Sequence, residues 1–251
     1  MDIYKQKYVV PSYELDMFKK ASVNTYLKVG DSIAGEHSIV NKCSISDLQE
    51  IGLTWMIARS RTVVNKYVNW NEELEISTYV DASIGFNSNR IIEIKDKEGD
   101  LVAKIFQKWA ILDRKTGRPQ RVERFRTELG IDSECEKYEF PNIVDEIDAA
   151  TEEITRSDLT IKYSDIDSNI HVNNLKYCNW VMDALDFDFL TKNELTLLDI
   201  RWIKQCYMGE NLYVVATKNA TDESKILFRI FRKEEKGDVL VFEAYTNWRT
   251  K

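Results

Sequence analysis

Residues 69–82 read NWNEELEISTYVDA. Within them Leu74, Ile76, Thr78, Val80 and Ala82 alternate with Glu73, Glu75, Ser77, Tyr79 and Asp81. A period of two marks a half-buried antiparallel strand, because successive side chains of an extended chain point to opposite faces. The same text returns further on: NEELEI at Asn71–Ile76 resembles GENLYV at Gly209–Val214. Glu72 to Glu210, Leu74 to Leu212 and Ile76 to Val214 are all steps of 138 residues. That step also carries Gly99-Asp100-Leu101-Val102 onto Gly237-Asp238-Val239-Leu240. A shared, ungapped offset is the mark of an internal duplication.

Outward from this pair, the first half shows further strands at about 53–66, 88–96 and 101–112, with a turn at Lys97-Glu98-Gly99-Asp100. The second half shows strands at about 195–206, 211–219, 224–233 and 238–248, with a turn at Lys236-Gly237-Asp238. One helix precedes each set. Val23, Tyr26, Gly30, Ile33, His37 and Val40 recur at steps of three and four in the first. Val172, Leu175, Cys178, Met182 and Leu185 do so in the second, and Tyr177, Trp180 and Val181 extend its apolar surface nearly all round. A helix apolar on most sides is buried. The expected fold is therefore α+β, with two antiparallel sheets each curled around a long helix. The modules span 1–114 and 159–251, joined by a connector at 115–158 that holds Pro119 and Pro141 and no sustained periodicity.

The bulk composition narrows the function. A net charge of −7 over 251 residues argues against a nucleic-acid binder. No apolar run approaches the roughly 18–20 residues that span a membrane. The N-terminal MDIYKQKYVVPSYELDMF has neither an apolar core nor a small-residue cleavage site, so no secretory leader is expected. Cys43, Cys135, Cys178 and Cys206 are scattered without CxxC spacing, which points to reduced thiols in a cytoplasmic protein and to no metal. No cofactor is expected.

One polar stretch stands apart: SDIDSNIHVNNLKYCNW at Ser164–Trp180 holds one of only two histidines in the chain. It falls where a strand at about Leu159–Tyr163 hands over to the second helix. Helix-first-turn N–H groups lack internal partners and carry positive potential, so a substrate carbonyl placed there would be polarised. An imidazole such as that of His171 exchanges a proton near neutrality. Asp167 can hold the imidazole tautomer or help activate water, and Asn169 can donate to a carbonyl oxygen. Helix capping by Asp and Asn is the competing reading. The first helix offers no counterpart at Ser22-Val23-Asn24, so one site per two modules is expected. His37 lies on an apolar face and reads as a packed core residue.

The pattern Asp167-x-Asn169-x-His171-Val172-Asn173-Asn174 resembles the signature of the acyl-acyl carrier protein (acyl-ACP) thioesterases. Leu53–Arg59, Trp70–Ile76, Lys108–Asp113 and Thr116–Pro119 resemble other blocks of that family, and the likeness covers roughly residues 4 to 250. It implies a tandem hot-dog fold and hydrolysis of the thioester between a fatty acyl chain and the phosphopantetheine arm of ACP, which ends fatty acid synthesis. The family's Asp, Asn and His fall on Asp167, Asn169 and His171. Its Glu-Cys pair falls on Gln205-Cys206, where the Glu is missing. Two mechanisms are open: Cys206 as a nucleophile activated by His171, or direct attack by water with Asp167 and His171 as the ionisable pair. The second is favoured, with Gln205 orienting water and Cys206 a buried structural thiol.

By the same analogy the first module shapes an acyl pocket, for which Trp55, Ile57, Phe86 and the helix face near Val23–Ile33 are candidates; ordinary core is the alternative for each. ACP is acidic, so docking calls for cations. Residues 113–126, DRKTGRPQRVERFR, carry six cations (Arg114, Lys115, Arg118, Arg121, Arg124 and Arg126) against two acids. A solvated connector whose arginines pair with nearby acids is the alternative. Acyl-CoA as carrier, or a non-catalytic acyl-chain binder, are the competing functions. A monomer and a homodimer both fit two tandem modules.

Overall fold

The computed structural model of the protein describes residues 3–81, 85–129, 137–142 and 151–251. Ala82, Cys135 and the connector segments 130–136 and 143–150 lie outside the described residues. The chain divides into two compact units, residues 1–140 and 141–251.

The first unit contains β1 (Tyr4–Val9), α1 (Val23–Val40), α2 (Ile45–Glu50), β2 (Leu53–Val64), β3 (Glu73–Val80), β4 (Ser88–Asp96), β5 (Leu101–Asp113) and β6 (Pro119–Gln120). Its antiparallel sheet runs in the order β1-β3-β4-β5-β2, with β6 on β5. The second unit contains β7 (Thr151–Leu159), α3 (Asn174–Asp183), α4 (Phe187–Lys192), β8 (Asn193–Trp202), β9 (Leu212–Asn219), β10 (Lys225–Arg232) and β11 (Val239–Thr250). Its order is β7-β9-β10-β11-β8, again antiparallel throughout. Strand for strand, the two orders are the same.

The duplication reaches into backbone detail. Asn71 (φ 62°) and Gly209 (φ 88°), 138 apart, both sit in the left-handed region just before β3 and β9. Asn and Gly tolerate that conformation best. The chain leaves the sheet after β2 by donating the N–H groups of Asn65 and Lys66 to Val102 O, at 2.9 and 3.3 Å. It leaves β8 in the same way, Ile203 and Lys204 donating to Val241 O at 2.9 and 3.0 Å. Val102 thus corresponds to Val241, so the 138-residue step read through Val102 lengthens by one inside β5.

In the first unit α1 packs on β1, β3, β4 and β5. A Cβ on Gly30 would lie 2.9 Å from Ile105 Cδ1, so glycine lets the helix approach the sheet closely. Val23, Tyr26, Ile33 and His37 are buried as the spacing requires, but Val40 is exposed in the last turn. Ser22 caps α1, accepting from Thr25 N–H. His37 is a packed core residue: its Nδ1 lies 2.9 Å from Arg90 Nη1 and its Nε2 3.0 Å from Asn41 Nδ2. In the second unit Tyr177 of α3 stacks on Phe242 of β11, ring centroids 4.9 Å apart.

Four sequence expectations change. The second helix is only ten residues long, since Asn173 caps it by accepting from Leu175 N–H at 2.9 Å; Val172 and Leu185 lie outside it. The strand expected at 159–163 is β7, which ends at Leu159; its exposed Glu152, Glu153, Arg156 and Asp158 suit a sheet edge and mask its periodicity. The strand expected to reach Cys206 stops at Trp202. Residues 115–158 are more than connector, for they hold β6, a 3₁₀ turn at Val122–Phe125 and most of β7.

Candidate functional site

The stretch before α3 is a tight turn built by Asp167. Its Oδ1 accepts from Asn169 N–H at 2.8 Å and from His171 N–H at 3.3 Å. Its own N–H donates to His171 O at 2.9 Å, and its O accepts from Ile170 N–H at 3.0 Å. The closure forces Ile170 to φ 66°, which costs a β-branched residue energy. Asp167 therefore bonds the backbone of His171, not its imidazole. The capping reading falls to Asn173, which takes the N–H groups of Leu175 and Lys176. Two first-turn donors that a substrate carbonyl was expected to meet are thus engaged.

The first unit builds the same turn, contrary to the expectation that it has no counterpart. Asp16 Oδ1 accepts from Phe18 N–H at 2.8 Å and Lys20 N–H at 3.1 Å. Asp16 N–H donates to Lys20 O at 2.7 Å, and Lys19 stands at φ 62°. Leu15 bridges Ala21 as Ile166 bridges Val172. Asp16 and Asp167 are 151 apart, as are Tyr26 and Tyr177. The turn is a structural element of the repeat. What the second unit adds is Asn169 where the first has Phe18, and His171 where the first has Lys20.

The loop after β8 faces this turn. Val172 N–H donates to Cys206 O at 2.9 Å. The half-buried His171 ring meets the ring of Tyr207 edge-on, centroids 5.2 Å apart at 73°. Tyr207 Oη donates to the Oε1 of the exposed Gln205 at 3.1 Å, and Glu210 Oε2 accepts from Tyr207 N–H at 3.0 Å. Arg232 braces the loop, donating to Glu210 Oε1 at 2.9 Å and to Gln205 O at 3.3 Å. Glu72, the residue 138 positions before Glu210, holds Asn69 N–H in the same way at 3.0 Å. The Glu210 carboxylate is therefore the repeat's turn clamp.

Cys206 is fully buried. Burial pushes its thiol up, the Tyr177 hydroxyl partly offsets this, and Glu210 adds to the rise. Its counterpart 138 residues earlier is Val68, also buried, whose carbonyl accepts from Ala21 N–H at 2.8 Å. Burial at both positions fits a place in the packing, where an apolar valine and a thiol with a raised pKa occupy equivalent sites.

Among the remaining expected residues, Ile57 is buried and Trp55 packs against the cluster of Leu53, Val80 and Ile111 while donating to Cys43 O at 2.8 Å. Phe86 is 46% exposed beneath Arg121, whose guanidinium lies 5.3 Å from the ring centre. Arg114, Lys115, Arg118, Arg121, Arg124 and Arg126 are all exposed, and none forms an ion pair among the described residues. Arg121 and Arg126 help hold the Glu123 carboxyl low, behind the larger effect of its bond from Gly85 N–H. Sequence reasoning missed Tyr207, Glu210 and Arg232. The signal for the loop pair was present: the repeat step that aligns Asn69 and Glu72 lands on Tyr207 and Glu210.

A helix laid on an antiparallel sheet, repeated in tandem with one strand order, defines a double hot-dog protein of the α+β class. Family models agree: the acyl-ACP thioesterase N-terminal domain matches residues 1–128 and its C-terminal domain residues 148–250. The chain belongs to the acyl-ACP thioesterase family. A chloroplastic palmitoyl-acyl carrier protein thioesterase of Cuphea hookeriana is 24% identical over 268 residues, covering 99% of this chain and 63% of the relative. The chloroplastic oleoyl-acyl carrier protein thioesterase 2 of Arabidopsis thaliana is 24% identical over 238 residues, covering 88% and 64%. The chain thus spans a little under two thirds of those relatives' length. Among solved structures, an acyl-ACP thioesterase from Bacteroides thetaiotaomicron superposes with a TM-score of 0.82 at 18% identity, covering 98% of each chain. The 12:0-ACP thioesterase from Umbellularia californica superposes at 0.81 with 20% identity, covering 99% and 98%.

Proposed function

We propose that this protein hydrolyses the thioester of fatty acyl-ACP, releasing a free fatty acid and ACP and so ending chain growth. The observation that carries the reading is the contrast between the twin turns: one scaffold bears Phe18 and Lys20 in the first unit and Asn169 and His171 in the second. In this reading the Asn169 amide donates to the thioester carbonyl oxygen. His171 takes a proton from water, the resulting hydroxide attacks the carbonyl carbon, and the oxyanion collapses with cleavage of the C–S bond. The leaving thiolate of the pantetheine arm receives the proton from the imidazolium. Asp167 positions the turn and its charge steadies that imidazolium. Gln205 cannot accept a proton; it holds Tyr207 and orients the water. Cys206 stays a packed thiol.

The first unit (the module expected at 1–114) takes the acyl chain, with Trp55, Ile57 and Phe86 along its path, and the second carries the chemistry. The six exposed cations from Arg114 to Arg126 dock acidic ACP. The reduced, buried thiols of Cys43, Cys178 and Cys206 fit a bacterial cytoplasm; the plant relatives are chloroplastic. Among the described residues no helix is long and apolar enough to cross a membrane. The chain acts as a monomer or homodimer.

Thiol release from a panel of acyl-ACPs and acyl-CoAs tests this reading on wild type, His171→Ala and an Arg118→Glu/Arg121→Glu/Arg124→Glu variant. His171→Ala should lose roughly 100-fold or more in kcat. The charge reversal should raise KM for acyl-ACP and leave acyl-CoA turnover near wild type. Equal loss on both carriers removes the docking surface. No release from any substrate leaves an acyl-chain binder.

A further inference from the structure

The inner face of the first sheet is polar where a core is expected. Ser60 of β2 pairs in register with Gln107 of β5, and Thr62 with Ile105. Gln107 Nε2 donates to Asp31 Oδ1 of α1 at 2.8 Å, while Gln107 Oε1 accepts from Trp109 Nε1 at 3.0 Å. Ser60 and Thr62 are 1% and 0% exposed, and neither hydroxyl has a hydrogen-bond partner among the described residues. A buried hydroxyl without a partner is costly, so this face is built for a partner of its own kind. Asp31 keeps part of its surface accessible while its surroundings desolvate its carboxyl, as a group lining a crevice does.

The second unit shows that the fold does not need this polarity. There β8 pairs Leu198 with Thr246 and Ile200 with Ala244, the counterparts of Ser60–Gln107 and Thr62–Ile105. The Trp109–Gln107 bond recurs as Trp248 Nε1 donating to Thr246 Oγ1 at 2.9 Å, which fixes the correspondence. At the 151-residue step Asp31 becomes Met182. Leu198, Ile200 and Met182 are apolar, and Thr246 is satisfied by donating to Ile226 O at 3.1 Å. The same places in one fold are ordinary core in the second unit and a carboxyl, an amide and two unpartnered hydroxyls in the first.

We propose that Asp31, Gln107, Ser60 and Thr62 form a subsite for a hydroxyl group carried on the acyl chain. The proposal rests on the reading of the first unit as the acyl-chain module. A chain hydroxyl donates to the Asp31 carboxylate and accepts from Ser60 or Thr62, whereas a plain methylene leaves the two hydroxyls unmatched. Hydroxyacyl thioesters are then preferred over unsubstituted chains of equal length.

The test compares a saturated acyl-ACP with its monohydroxy isomers of the same length, the hydroxyl moved carbon by carbon, on wild type and Ser60→Ala/Thr62→Val. Wild type should prefer one isomer by roughly tenfold or more in kcat/KM, and the variant should bring that ratio near one. No preferred isomer, or a preference the variant leaves intact, overturns the subsite. Ser60→Ala alone reads the same ratio if the double variant does not fold. If no thioester is cleaved, the thioesterase reading fails by itself. Calorimetric titration with the free hydroxy and plain fatty acids then decides the subsite, which stands only on tighter hydroxy binding that the variant abolishes.

Discussion

Asp16 and Asp167, 151 residues apart, make the same two hydrogen bonds, each carboxylate accepting from the backbone N–H groups two and four residues on. One chain thus holds the candidate scaffold and an internal control for it. Asp16 reports what such a carboxylate contributes to folding, and any further effect at Asp167 tests the proposed reaction.

Asn offers the same acceptor oxygen as Asp, so Asp167→Asn should keep the turn and shift Tm by only a few degrees. It removes the charge beside the imidazolium and should lower kcat by roughly tenfold or more. Asp16→Asn should change neither. Thermal melts and thiol-release kinetics on both variants separate the roles; equal kinetic effects would make Asp167 a turn residue only.

Cys206→Val copies the residue found at the counterpart position, Val68, and should stay folded with activity within a few-fold of wild type. Because burial raises its thiol, Cys206 should label with iodoacetamide much more slowly than an exposed cysteine at pH 8. A folded but inactive Cys206→Val, or rapid labelling coupled to inactivation, would restore the nucleophilic route.

Tyr207 meets His171 through its ring and Gln205 through its hydroxyl. Tyr207→Phe keeps the ring contact and should retain most activity, while Tyr207→Leu removes it and should lower kcat several-fold. Thiol-release kinetics on the two folded variants decide it, since equal kcat values would leave the ring contact without a role.

Burial pushes the Asp31 carboxyl from 3.8 up to about 6, with the Gln107 bond acting against the rise. The folded state therefore favours the neutral acid more than the unfolded chain does. That contribution is fully present below pH 4 and is lost as pH rises through 6, leaving an ionised buried group that costs up to about 3 kcal/mol. Asp31→Asn should match wild type near pH 4 and exceed it in urea midpoint above pH 7. A stability gap that does not change with pH would refute this.

The central strands were legible because burial on one face writes itself as a period of two. β3 to β5 and β9 to β11 lie within a few residues of where the alternation puts them. β1 and β7 were not legible, since β1 buries little on either face and β7 carries charge on both. At the site, residue types singled out Asp167, Asn169 and His171, but not what each does. The Asp167 carboxylate was read toward an imidazole and is spent on backbone N–H groups. The turn at Asp16 escaped notice because the repeat step there is 151 residues and not the 138 of the strands.

By itself the sequence determined two duplicated sheet modules, a helix before each main strand set, and one candidate stretch that pairs a histidine with Asp and Asn. These follow from local periodicity and from residue chemistry, which neighbours along the chain suffice to express. Only the tertiary structure decided that Cys206 is a buried counterpart of Val68, that Tyr207 rather than Asp167 meets the His171 ring, and that Ser60 and Thr62 share a sheet face with Gln107, which bonds Asp31. Burial and partnership depend on residues tens of positions apart, brought together by strand register that no local pattern encodes.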